Sequence, residues 1–145
     1  MVTPTKRKLT PAQQPKKRYL YITLVELTTE GIPIGLLSDQ SEDPLSASEI
    51  QRSLNNTFVR IHGEIQASKT HLKLIQHKFD IESSTHSLIL RTTVEAVDET
   101  RQTIALLTWL SDRHNRHHYV IPNLHSTSGV LKSLRERVGF PKKEE

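Results

Sequence analysis

Cysteine is absent from the 145 residues. That absence excludes a disulfide framework and a thiolate metal site, and it points to a reducing compartment. Glycine is scarce, at five residues. The chain has no Gly-rich phosphate loop and no Gly-x-Ser-x-Gly nucleophile elbow. No apolar run is long enough to cross a membrane as a helix. The charged N-terminus lacks the apolar stretch of a secretory signal. Acidic residues are missing from the first eighteen positions, which hold six Lys or Arg.

The charge that is present is segregated. Residues 1–18 carry +6, residues 19–112 carry −6 and residues 113–145 carry +4, for a net +4. Two basic ends around an acidic middle point to a polyanion touched by one face and the tails. The length is that of one domain. Residues 1–17 are rich in Pro, Gln and Lys with almost nothing apolar, so they read as a disordered basic tail. A single domain is expected over 18–140, with a flexible end at 141–145.

The strongest element is the strand Arg18 to Leu27, in which aromatic and β-branched residues dominate. One face carries Leu20, Ile22, Leu24 and Glu26; the other carries Tyr19, Tyr21, Thr23, Val25 and Leu27. A strand apolar on both faces is normally central and covered from both sides. Thr28 to Leu45 follows as a long loop. Ser46-Ala47-Ser48-Glu49 is a capping box opening a helix to His62, with Gly63 as its stop. Lys69 to Phe79 reads as a second strand, with Leu72 and Leu74 on one face and Ile75, His77 and Phe79 on the other. Thr85 to Thr93 is a third strand, joined to it by a hairpin. Glu95 to Arg113 is expected to be a second helix, Arg116 to Leu124 a fourth strand and Val130 to Val138 a last helix. This order is that of an α+β, ferredoxin-like (RNA-recognition-motif-like) βαββαβ antiparallel sheet with an additional C-terminal helix.

Candidate chemistry is sparse. His114, His117 and His118 cluster, but Arg113 and Arg116 interleave them and no carboxylate follows at ligand spacing, so no metal is expected. Gly31 to Gly35 is a poor phosphate cradle because Pro33 lacks an amide donor. A small acyl-phosphate hydrolase therefore stands as a minor alternative. The third strand, His86 to Arg91, has no aromatic residue for base stacking. Any RNA contact is expected to run through phosphates at the edges and tails. Trp109 reads as a core or groove residue.

Three local patterns then converge. Lys16-Lys17-Arg18-Tyr19-Leu20 with Glu26-Leu27, Ile61-His62-Gly63-Glu64, and Ser128-Gly129-Val130-Leu131-Lys132 resemble, in order, segments of the Pop-five/Rpp-fourteen family. These are protein subunits of ribonuclease P and of the related ribonuclease MRP. The chain departs from the family in its longer basic N-terminal extension and in Val130, where Thr is usual. The resemblance implies a non-catalytic subunit. The RNA itself removes the 5′ leader of precursor tRNA, using magnesium bound to the RNA and no cofactor on this chain. Implied partners are the ribonuclease P or MRP RNA, a protein subunit of the Rpp-thirty type and, indirectly, precursor tRNA, with no membrane. The implied compartment is the nucleus and nucleolus, or the cytoplasm of an archaeon, and MRP would add pre-rRNA processing.

On that footing the expected RNA contacts are Lys16, Lys17 and Arg18; the turn with Arg113, Arg116, His117 and His118; and Ser128, Gly129, Lys132 and Arg135 at the last helix. Tyr19, Tyr21, Val25 and Ile89 are the expected protein interface. The alternative from another class is a protein-interaction module of the same fold that binds no RNA.

Overall fold

In the computed structural model, residues 16–27 and 44–140 are described. The tail before Lys16, most of the loop read over Thr28 to Leu45 and the end at 141–145 lie outside the described residues. The first strand, β1, spans Lys17–Leu27, so Lys17 belongs to the domain rather than to the tail. α1 spans Ala47–His62, α2 Glu64–Thr70, β2 Lys73–Asp80 and β3 Thr85–Thr93. α3 spans Val97–Ala105, β4 Trp109–Ser111, β5 His117–Ser128 and α4 Leu131–Val138. The sheet order is β2-β3-β1-β5-β4, with every neighbouring pair antiparallel. This is the expected ferredoxin-like arrangement, with β1 central and a fifth strand added at one edge.

The alternation read in β1 sorts its two faces. Leu20, Ile22 and Leu24 are fully buried, against Ile50 and Leu54 of α1, Leu88 and Leu90 of β3, Ile104 of α3 and Leu110 of β4. Ser46 caps α1 as the capping box requires: the Glu49 amide donates to its hydroxyl, and its own amide donates to the Glu49 carboxylate. The opposite face is closed at one end by the chain itself. Tyr19, Tyr21, Ile75 and Ile89 pack there with Leu131, Leu134 and Val138 of α4 and with Phe140. At the other end Val25 pairs with Ile121, which is 56% exposed, and Leu27 pairs with Tyr119, which is 43% exposed. So α4 answers half of the question posed by an apolar outer face, and the other half stays open.

Four expectations are corrected. The strand expected from Lys69 begins only at Lys73: Gly63 takes φ +89, ends α1, and is followed at once by α2, whose last carbonyls run out at the left-handed His71. In β2 a bulge between Leu74 and Gln76 shifts the register. His77 and Phe79 therefore return to the helix-covered face with Leu74, and Ile75 alone joins the outer cluster. The helix expected to reach Arg113 stops at Ala105, because Trp109–Ser111 pairs with β5 as an edge strand. Its exposed edge is covered by α1, where the Ser111 amide donates to the Ser53 hydroxyl at 2.8 Å. Finally β5 runs on to Ser128, and Val130 is the N-cap of α4 rather than part of its buried side.

The seat of α4 makes a direct test. Leu134 is fully buried and Val130 is 56% exposed. Leu134→Ala is expected to lower unfolding free energy by about 2–5 kcal/mol, and Val130→Ala by less than about 0.5 kcal/mol, both measured by urea denaturation.

Candidate nucleic-acid interface

The basic turn after β4 is set by one buried carboxylate. Asp112 Oδ1 accepts the amides of His114 at 2.8 Å and Arg116 at 3.0 Å. Its backbone amide donates to the Arg116 carbonyl, and Asn115 takes a left-handed φ of 59 to close the turn. This is the local geometry in which an Asp side chain replaces backbone donors and acceptors. It directs Arg113, His114 and Arg116 outward, and all three are exposed. The turn is tied to α1 twice. The Arg113 amide donates to Glu49 Oε2 at 2.6 Å, and Arg52 Nη2 donates to the Asp112 carbonyl at 2.9 Å. Between turn and helix lies a cleft of about 400 Å³, lined by Arg52, Arg113, His114 and Arg116 with Glu49 and Asp112. The two acids are occupied internally, so the cleft presents cations.

Behind the turn runs a buried ionic chain. His118 Nδ1 donates to Glu26 Oε1 at 3.1 Å, and its Nε2 donates to Asp112 Oδ2 at 2.9 Å. With both nitrogens donating to carboxylates, the ring is an imidazolium. Bonding to Glu26 first, and to Asp112 with it, outweighs burial and pushes His118 up to about 9. Burial pushes Glu26 up, but bonds from His118, His86 and the Leu45 amide together bring it below its ordinary value. Burial likewise opposes ionisation of Asp112, and bonds from His118, Arg116 and the His114 amide hold it well below the carboxylate range. On the far side His86 Nε2 donates to Glu26 Oε2 at 3.4 Å, and His86 Nδ1 meets His77 Nε2 at 2.8 Å. Burial, then the neighbouring His86, lowers His77 to about 4.

The expected contact residues fall into two groups at opposite ends of the sheet. Tyr19 pairs with Ser128 at one end and Leu27 with Tyr119 at the other, about 27 Å apart at the rise of an extended strand. At the first end, Lys16 and Lys17 are exposed and Arg18 lies beside Gly129, where an added Cβ would stand 3.3 Å from Arg18 Nη1. Ser128 Oγ accepts from the Val130 amide at 3.1 Å, and Lys132 is exposed. Arg135 is instead tied to Gln76 of β2. At the second end, Arg113 and Arg116 are exposed, and His117 stacks on Trp109 with ring centroids 3.8 Å apart. His118 is turned inward and both of its nitrogens are taken, so it offers nothing to a ligand. His114, His117 and His118 thus diverge, and among the described residues no group of His, Asp or Glu side chains converges as metal ligands.

Of the expected protein-interface residues, Tyr19 and Tyr21 pack under α4. Ile89 is fully buried there and presents no surface. Val25 remains on the open end. Sequence reasoning missed Asp112, Arg52, Glu49 and the Glu26–His86 link as parts of the site. Glu26 was the one available signal, an acid on a face otherwise made of Leu and Ile.

The model of the Rpp14/Pop5 family matches residues 18–139. Among solved structures, a chain in the cryo-EM structure of yeast ribonuclease MRP is similar, with a TM-score of 0.55 and 12% identity. The match covers 92% of this chain and 95% of that one, and at such identity it speaks for the fold. No curated protein matches the sequence.

The ionic chain predicts a stability optimum. His118, raised from 6.5 to about 9, adds stability that is complete below pH 6.5 and is lost as pH rises toward 9. His77, lowered from 6.5 to about 4, takes stability away as pH falls between those values. Glu26 and Asp112 are both depressed, so they add stability that is present above 4.5 and 3.8 and lost as pH falls below them. The thermal midpoint is therefore expected to peak near pH 6.5 and to fall on both sides. His118→Gln strands two buried carboxylates, costs about 3–5 kcal/mol, and removes the decline between neutral pH and pH 9.

Proposed function

The chain belongs to the Rpp14/Pop5 family, and from that premise we propose that it is a non-catalytic protein subunit of the ribonuclease P or ribonuclease MRP ribonucleoprotein. It supports the RNA that removes 5′ leaders from precursor tRNA and, in MRP, acts in pre-rRNA processing. The observation that carries the reading beyond the family is the pair of basic patches at the two ends of one sheet. One holds Lys16, Lys17, Arg18 and Lys132, with Ser128 and Gly129. The other holds Arg52, Arg113 and Arg116. A rigid sheet with cations at both ends bridges two phosphate-bearing segments and holds their separation. That is a way for a protein without reactive side chains to stabilise a folded RNA. Magnesium is assigned to the RNA phosphates, and among the described residues no His, Asp or Glu side chains converge to hold it. The open apolar row of Val25 and Ile121 fits a contact with a second protein subunit, of the Rpp-thirty type. Nucleus and nucleolus are the compartments of a eukaryotic member.

The same fold also serves protein-interaction modules, and salt separates the two readings. Neutralising phosphates makes the logarithm of RNA affinity fall with log salt by about 0.7–0.9 per phosphate, whereas an apolar protein contact hardly responds. The tagged protein, recovered from its own cells at moderate salt, is expected to bring one structured RNA of the ribonuclease P or MRP type. Recovery of proteins with no such RNA would overturn the proposal. With the recovered RNA, the double variant Arg113→Ala/Arg116→Ala is expected to reduce the salt slope by about 1.4–1.8.

A further inference from the structure

The edge of the sheet beyond the basic cleft holds a preformed aromatic stack. Trp109 of β4 and His117 of β5 lie nearly parallel, 8° apart in plane with centroids 3.8 Å apart. The Arg60 guanidinium of α1 sits over the Trp109 ring, 4.8 Å from its centroid. Trp109 pairs directly with Tyr119, and Tyr119 with Leu27. Trp109, Tyr119 and Leu27 therefore form one row on the outer face, with Ile121 and Val25 in the next. α4 packs at the other end of that face and leaves this row uncovered. His117 is exposed, Tyr119 is 43% exposed and Ile121 is 56% exposed.

Among the described residues, the exposed charges beside the stack are cations. Arg116 immediately precedes His117 and its side chain is 69% exposed. Arg113 and His114 stand on the same turn, and Arg60 is part of the stack. The acids of that corner, Glu26, Glu49 and Asp112, are bound by amides, by His118 and, for Asp112, by Arg116 Nε. An exposed π surface bordered by exposed cations suits a polyanion that also carries flat rings, and Arg116 stays 69% exposed while its Nε donates to Asp112.

We propose that the β4–β5 edge takes an unpaired base of single-stranded RNA, stacked on the open side of His117 and Tyr119 with its phosphate against Arg116. An unpaired base is required because a duplex hides base faces within its own stack. The proposal rests on the RNA-binding reading above and adds a mode of contact to it. It also revises what the sequence implied. The face that carries bases in RNA-recognition domains has no aromatic on β3, and its β1 tyrosines lie under α4, so stacking moves to the opposite edge.

Trp109 is the single tryptophan of the chain, which gives one indole signal to follow. The full-length, ¹⁵N-labelled protein is titrated with a short single-stranded RNA, with a blunt hairpin of equal charge, and with the RNA recovered from cells. The single strand is expected to shift the indole crosspeak and quench tryptophan emission, and the hairpin is expected to do neither. Tyr119→Ala and His117→Ala are each expected to weaken single-strand binding about tenfold. His117 is exposed, so its variant keeps the test valid if the Tyr119 variant misfolds. An unmoved indole while the recovered RNA still binds would overturn the stacking site and leave the ribonucleoprotein reading standing. No binding to any RNA would overturn both. An indole that moves only with a copurified protein subunit would assign the edge to a protein and overturn the proposal.

Discussion

Two carboxylates and the imidazolium between them are the constraint on which the rest of this fold depends. Glu26, His118 and Asp112 are all buried, and burying three charges is favourable only when each finds opposite charge and hydrogen bonds. Here each does. Glu26 accepts from His118, His86 and the Leu45 amide, and Asp112 accepts from His118, Arg116 and two backbone amides. The chain of contacts crosses β3, β1, β5 and the turn after β4. A slip of one residue in β1 against β5 would turn Glu26 to the outer face and leave His118 facing Leu or Val. The network thus specifies register more than it adds net stability.

The basic surface follows from that register. Because Asp112 spends both oxygens on the turn and on His118, the turn has one shape, and Arg113 and Arg116 project from it at fixed positions beside Arg52. Because β1 pairs with β5 along its length, the opposite basic group at Lys16 to Arg18 is held at the far end of that strand pair. The separation between the two patches is then a property of strand length and not of flexible side chains. A folded RNA gains stability from such a protein only if the distance between its phosphate contacts does not adjust freely.

Much of the fold was legible in the residues. Alternation in β1 foretold a central strand apolar on both faces, and the Ser46–Glu49 pair marked the start of α1. What escaped had identifiable physical causes. A bulge in β2 and a left-handed His71 leave little trace in a single sequence. Trp109-Leu110-Ser111 continues a helical apolar pattern, and only pairing with β5 makes it a strand. The site was half legible: cations are visible as composition, whereas the inward turn of His118 depends on Glu26, ninety-two positions away in sequence.

The same burial explains why His114, His117 and His118 do not converge and what they do instead. Metal binding needs neutral imidazoles that converge. His118 is held charged by its carboxylates, His117 is engaged with Trp109, and His114 accepts from Arg113 Nε. Each ring is committed to a different neighbour before any ligand arrives. His118 braces the turn from within, His117 carries the exposed end of the Arg60–Trp109 stack, and His114 stays on the rim of the basic cleft. Three neighbouring residues of one type thereby serve the core, the sheet edge and the surface. The strand alternation beginning at His117 sends successive residues to opposite faces and divides them.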